Sequence, residues 1–131
     1  MAYDQYDMEK DARALVFEFN AQRYALAVPN VPFEPPVGIW LQYDFIPAET
    51  LSVGLSRKCR SLKALVQVSI VFPPDTGIDK AGALAKELAE FCYDGRIVGQ
   101  SYIFTGGDVR PIQKSETGWF IPVRFALSYL S

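Results

Sequence analysis

VPNVPFEPPVGIWLQYDF, residues Val28–Phe45, is the stretch whose reading decides the fold. Pro29, Pro32, Pro35 and Pro36 each fix φ and remove a backbone donor. The residue before each proline is pushed toward extended geometry. Val28–Pro36 therefore reads as neither helix nor central strand, but as a stiff extended connector that carries Val31 and Phe33. Beyond it, Ile39, Leu41, Tyr43 and Phe45 alternate with Trp40, Gln42 and Asp44, the period-2 pattern of a strand with one strongly apolar face. Phe33 reads first as a plug on the domain's own core and second as a contact for a partner.

Upstream, Asp4 to about Ala27 reads as a helix capped by Asp4, with Asp7 favourable to its dipole. Met8, Ala12, Leu15, Val16 and Phe19 form its apolar stripe, and Glu9 and Arg13 an i,i+4 pair. A second stripe, Tyr6, Lys10, Arg13, Phe17, Asn20 and Tyr24, runs along the opposite side. Aromatic and cationic side chains facing away from a core suit a subunit surface. The equal alternative is cover by another segment of the same domain.

Downstream, Ile46–Leu62 is long for a hairpin connection and contains Pro47 and Gly54. Leu51, Val53 and Leu55 alternate within it, and Arg57, Lys58 and Arg60 oppose only Glu49. It reads either as a solvated basic loop or as a mobile arm or hairpin that orders on a partner. Lys63–Phe72 reads as a central strand, Thr76–Tyr93 as a helix with Thr76 and Asp79 as a capping box, and Gly95 as its stop. Ser101–Phe104 and Val109–Lys114 read as strands around a tight turn at Thr105–Asp108. Trp119–Tyr129 alternates over a long final strand. Pro122 makes its opening half an edge, a bulge or unpaired on that side. The sum is one domain over residues 1–131, with an arm at 46–62. Its expected class is α+β, a mainly antiparallel sheet of about four to five strands with two helices on one face, in the order α-β-β-α-β-β-β.

Composition narrows the function. A chain of 131 residues, half of them hydrophobic, with mean hydropathy +0.06, has the makings of one folded core. A net charge of −2 argues against bulk electrostatic binding of nucleic acid, and the basic cluster at 57–60 has no stacking aromatics beside it. No apolar run approaches the roughly 20 residues of a membrane span. Acidic residues near the start, where a secretory leader wants positive charge, make a reducing cytoplasmic compartment the expectation. The chain has no histidine, so the commonest general base and metal ligand are missing. Cys59 between Lys58 and Arg60 lacks a base, the Glu87–Glu90 pair lacks further ligands, and Gly106–Gly107 lacks the Lys-Ser/Thr of a phosphate loop. No catalytic residue, metal site or cofactor is therefore assigned. Cys92 reads as a small buried hydrophobe.

Several pieces, in order, resemble the family of phage tail-terminator-like proteins. They are the N-terminal helix running into VPNVPFEPPVG (Val28–Gly38), an aromatic strand followed by IPAE (Ile46–Glu49), the basic Arg57–Arg60 before LVQVSIVF (Leu65–Phe72), the Ala/Leu-rich helix Ala81–Phe91, and GWFIPVRFALSY (Gly118–Tyr129). The resemblance implies a structural virion protein that caps the tail tube as a hexameric ring, ends tube polymerisation and presents a surface for head joining. Its implied partners are other copies of itself, the tail tube protein and the head connector, with passing contact to DNA in the lumen and none with membrane. Its implied places are the virion tail and, during assembly, the host cytoplasm. Tyr6, Lys10, Arg13, Phe17, Tyr24 and Phe33 are the candidate subunit interface. Leu51, Val53, Leu55, Arg57, Lys58 and Arg60 are the candidate tube-facing arm. A neck or head–tail completion protein is the nearest alternative, and a small enzyme a more distant one.

Overall fold

The computed structural model describes residues 4–29, 31–47, 51–53, 59–73, 78–115 and 118–130. Helix α1 (Gln5–Asn20) starts at a reciprocal cap. The Asp7 N–H donates to Asp4 Oδ1 (3.0 Å) and the Asp4 N–H donates to Asp7 Oδ2 (3.1 Å). Met8, Ala12, Leu15, Val16 and Phe19 are buried along it, as their spacing requires.

The helix ends well short of Ala27, and Asn20 is the reason. Its side chain accepts from the Tyr24 N–H (3.1 Å) and donates to the Tyr24 carbonyl (2.8 Å). Ala21 and Gln22 turn the chain at φ 46° and 64°. Arg23 folds back to donate to the carbonyls of Phe19 (3.0 Å) and Asn20 (3.2 Å), groups that a helix end leaves without partners. The chain then enters strand β1 (Ala25–Ala27).

β1 pairs in parallel with β2 (Trp40–Pro47). Adjacent parallel strands need a crossover, not a turn. The proline-rich stretch between Ala27 and Trp40 makes that crossover. The expected mainly antiparallel sheet is thereby corrected to a mixed one.

β2 and β3 (Leu51–Val53) lie end to end along one edge of β4 (Cys59–Phe72). Pro47 pairs with Ala64 and Leu51 with Ser61. Within the stretch 46–62, read in sequence as a loop or as an arm or hairpin, residues 46–47, 51–53 and 59–62 are strand, and 48–50 and 54–58 lie outside the described residues. Helix α2 (Asp79–Phe91) follows, with Ile78 at its N-cap and no side-chain cap bond. Asp79 is thus the first residue of the helix and not its third, and Thr76 of the expected capping box lies outside the described residues.

β5 (Ile97–Val98), β6 (Ser101–Val109), β7 (Gln113–Ser115) and β8 (Gly118–Leu130) complete the chain. Among the described residues the sheet has eight strands, more than expected, in the order β1-β2-β4-β8-β6-β5, with β3 on β4 and β7 on β8. β8 is interior, not an edge. Pro122 falls where pairing with β7, ending at Phe120, gives way to pairing with β6, beginning at Val123. A residue without an N–H is tolerated at such a gap.

Both helices pack on one face of this sheet, against Leu41, Tyr43, Val66, Val68, Ile70, Ile103, Val123, Phe125 and Leu127. α1 touches β2 and also β5, which lie near opposite ends of the strand order. The sheet therefore curls around its helices. The buried Tyr43 hydroxyl donates to the Glu9 carbonyl across the gap (3.3 Å).

The expected turn at Gly106–Gly107 is also corrected: β6 runs straight through it. The glycines serve a close approach to the end of α2. A Cβ on Gly107 would lie 2.4 Å from Ala89 Cα, and one on Gly106 would lie 2.5 Å from an Asp94 carboxylate oxygen. Their N–H groups donate to the Cys92 carbonyl (2.7 Å) and the Asp94 carboxylate. The register of β6 on β8 shifts on both sides of Thr105 to allow it.

Two glycine substitutions separate these roles. Gly107→Ala overpacks the α2–β6 contact and lowers stability by about 1–3 kcal/mol in urea unfolding. Gly82→Ala, where a Cβ meets nothing within 4 Å on α2, raises it by about 0.5–1 kcal/mol.

Candidate assembly surfaces

Four of the six candidate interface residues form a single flank of α1. Tyr6 is 64% exposed and Phe17 49%. Lys10 Nζ sits 4.9 Å from the centre of the Tyr6 ring, and Arg13 pairs with Glu9 at 3.4 Å. The flank is aromatic and cationic, and it is turned away from the core stripe.

The other two lie elsewhere. Tyr24 is off the helix, half-buried against the core, because Asn20 stops α1 before it. It still lines an open cleft of about 810 Å³ with Phe17, Arg23 and β1. Asn20 itself is buried, so the expected stripe ends at Phe17. Phe33 is neither a core plug nor part of the α1 flank. It stacks on Trp40 with ring centres 4.9 Å apart, on the other side of the sheet. There the crossover leans on the first residue of β2.

Of the arm candidates, Leu51 and Val53 belong to β3 and Arg60 to the start of β4. Leu55, Arg57 and Lys58 lie outside the described residues. The last described pair of β3 with β4 is Val53–Cys59. The last pairing of β8 is Leu130 with Ser61, so β3 and the first residues of β4 reach past the end of β8.

Sequence reasoning missed the outer face of the sheet, turned away from both helices. Three rows of cross-strand neighbours cross it: Trp40–Val71–Phe120, Gln42–Ser69–Pro122 and Asp44–Gln67–Arg124. Arg124 Nε donates to Gln67 Oε1 (2.8 Å), and Gln67 Nε2 to Ser69 Oγ (3.1 Å). Gln42 Nε2 donates to Asp44 Oδ2 (3.3 Å). A cleft of about 260 Å³ opens between Trp40 and Phe120, over Gln42, Asp44, Gln67, Ser69 and Val71. The signal was present in Gln67 and Ser69, which break the apolar run of β4 on alternate positions.

Among the described residues no group of three His, Cys, Asp or Glu side chains could hold a metal ion. Glu87 is occupied by Arg23 at 3.2 Å. Burial pushes the Cys92 thiol up to about 12, and burial also pushes the Tyr43 phenol well above its ordinary value. No helix is long and apolar enough to cross a membrane among the described residues.

A family model described as phage tail terminator protein matches residues 8–126. A solved structure aligns with TM-score 0.72 over 94% of this chain and 95% of its own, at 20% identity, a likeness of fold alone. No curated protein matches the chain by sequence.

The buried thiol and phenol give a pH dependence whose sign is fixed. An unfolded Cys ionises near 9.0, the folded one near 12. Stability from this group is whole below pH 9 and declines as pH rises toward 12. Tyr43, raised in the same direction, adds to the decline. Urea midpoints taken from pH 7 to pH 11 are expected to fall. The Cys92 thiol is expected to react with a disulfide reagent at pH 8 only as fast as the protein opens.

Proposed function

This chain belongs to the phage tail terminator family, and from that premise we propose that it caps the finished tail tube as a ring. The ring ends tube polymerisation and offers the head connector its joining surface. The family is a structural one, and the match over residues 8–126 is the observation that carries the reading. The partners are further copies of this chain, about six to a ring, the tail tube protein, and the connector. The site of action is the virion tail, reached after assembly in the host cytoplasm.

The arrangement of surfaces supports this. A closed ring of identical subunits needs a heterologous interface, two different patches on each copy. The exposed aromatic and cationic flank of α1 suits one of them. The long hairpin of β3 and β4 suits contact with the tube. Arg57, Lys58 and Arg60 supply positive charge for acidic groups on the tube or for the lumen that DNA crosses.

Light scattering across a concentration range, with and without tube protein, tests the reading. The expected result is a ring of about six subunits, alone or only with the tube. A monomer indifferent to both overturns it and turns attention to neck proteins as partners. Phe17→Asp is expected to keep the wild-type circular dichroism and unfolding midpoint and to lose assembly. Loss of folding would instead assign Phe17 to the core.

A further inference from the structure

The ring reading supplies one patch, the α1 flank, and requires a second of matching chemistry. We propose that the second patch is the outer-face cleft between Trp40 and Phe120, and that its occupant is Tyr6 with Lys10 from a second copy of this chain. The proposal rests on the ring reading and says which surfaces close it.

Size comes first. At about 260 Å³ the cleft is below the roughly 300–1,000 Å³ range of small-molecule sites. It is on the scale of a single inserted side chain. Its lining is aromatic and aliphatic at Trp40, Val71 and Phe120 and polar at Gln42, Asp44, Gln67 and Ser69. An apolar ring with a polar tip fits such a lining, and that is tyrosine. Tyr6, at 64%, is the more exposed of the two aromatics on the α1 flank.

Charge points to the same pair. Among the described residues, Asp44 receives a hydrogen bond from Gln42 and no cation bridges it. Lys10 lies over the Tyr6 ring with no carboxylate among the described residues at ion-pair distance. The neighbouring cations are committed: Arg13 to Glu9, and Arg124 to Gln67. Among the described residues, one acid without an ion-pair partner sits in the cleft and one base without one rides on the ring that would enter it. Such a pair steers association and fixes register more than it adds affinity.

Geometry makes the contact intermolecular. α1 packs on the helix-bearing face of the sheet and the cleft opens on the other. Tyr6 cannot reach the cleft of its own subunit through the sheet. The knob and its socket therefore point in different directions, the condition for head-to-tail closure.

Charge exchange tests it under conditions where the wild type assembles. Lys10→Glu sets a second carboxylate against Asp44, and Asp44→Lys sets a second ammonium against Lys10. Each variant is expected to keep its fold by circular dichroism and to associate about tenfold more weakly or worse. The double variant, and an equimolar mixture of the two single variants, are expected to regain assembly, because both restore opposite charges at every contact. Mixed particles would hold equal numbers of the two chains by mass. Single variants that assemble as the wild type does, or a mixture that stays unassembled, would overturn this contact and leave the ring standing. A wild type that never assembles, with or without tube protein, would overturn the ring reading and this contact together.

Discussion

β4 is paired along most of both edges, and every other element takes its position from that. Antiparallel partners run beside it from Trp40–Val71 to Pro47–Ala64 on one side and from Phe72–Trp119 to Ser61–Leu130 on the other. Ala64, Val66, Val68, Ile70 and Phe72 point to the helices and are buried. Each large apolar side chain contributes roughly 1.5–3 kcal/mol when fully buried, so this one row outweighs any surface contact in the molecule. A register slip of one residue would turn that row outward and bring Gln67 and Ser69 into the core, so the pairing is strongly specified.

The same alternation creates the outer face. Once the apolar row is turned inward, Gln67, Ser69 and Val71 must face away, and their neighbours Gln42, Asp44, Phe120 and Arg124 line up with them. The polar members satisfy one another through the Arg124–Gln67–Ser69 chain and the Gln42–Asp44 bond. No buried side-chain polar atom lacks a partner among the described residues. The outer face is thus a finished surface, and its mixed polar and aromatic character resembles an interface centre more than a solvated sheet.

The parts of the fold written in local periodicity were legible. The core stripe of α1, the apolar faces of β2, β4 and β8, and the burial of Cys92 all follow from spacing and type. What was not legible depends on long-range partners. Asn20 has the spacing of an outward residue, yet its amide is used on the Tyr24 backbone, so the helix stops four residues before Tyr24. Gly106–Gly107 has the composition of a turn, yet only the approach of Ala89 and Asp94, distant in sequence, explains why both positions lack a side chain. β1 has three residues and no signal of its own; it is a strand because β2 offers it an edge. The exposed stripe of α1 was legible to Phe17, whereas the contact of Phe33 with Trp40 carries no local signal in the sequence.

The proline-rich crossover joins these observations to assembly. A parallel pair at the sheet margin obliges the chain to cross over where an antiparallel pair could turn, and the prolines limit the conformations open to that crossover. Val28 and Ile39 at its ends pack against the core, and Phe33 lies on Trp40. That contact braces one wall of the outer cleft from behind, while Val31 and Val37 stay exposed on the same crossover. A wall held by a stiff segment loses little freedom when a partner fills the cleft, which lowers the entropic penalty of association. The stretch that sets the sheet's mixed topology thereby also preorganises the surface that a neighbouring subunit would meet.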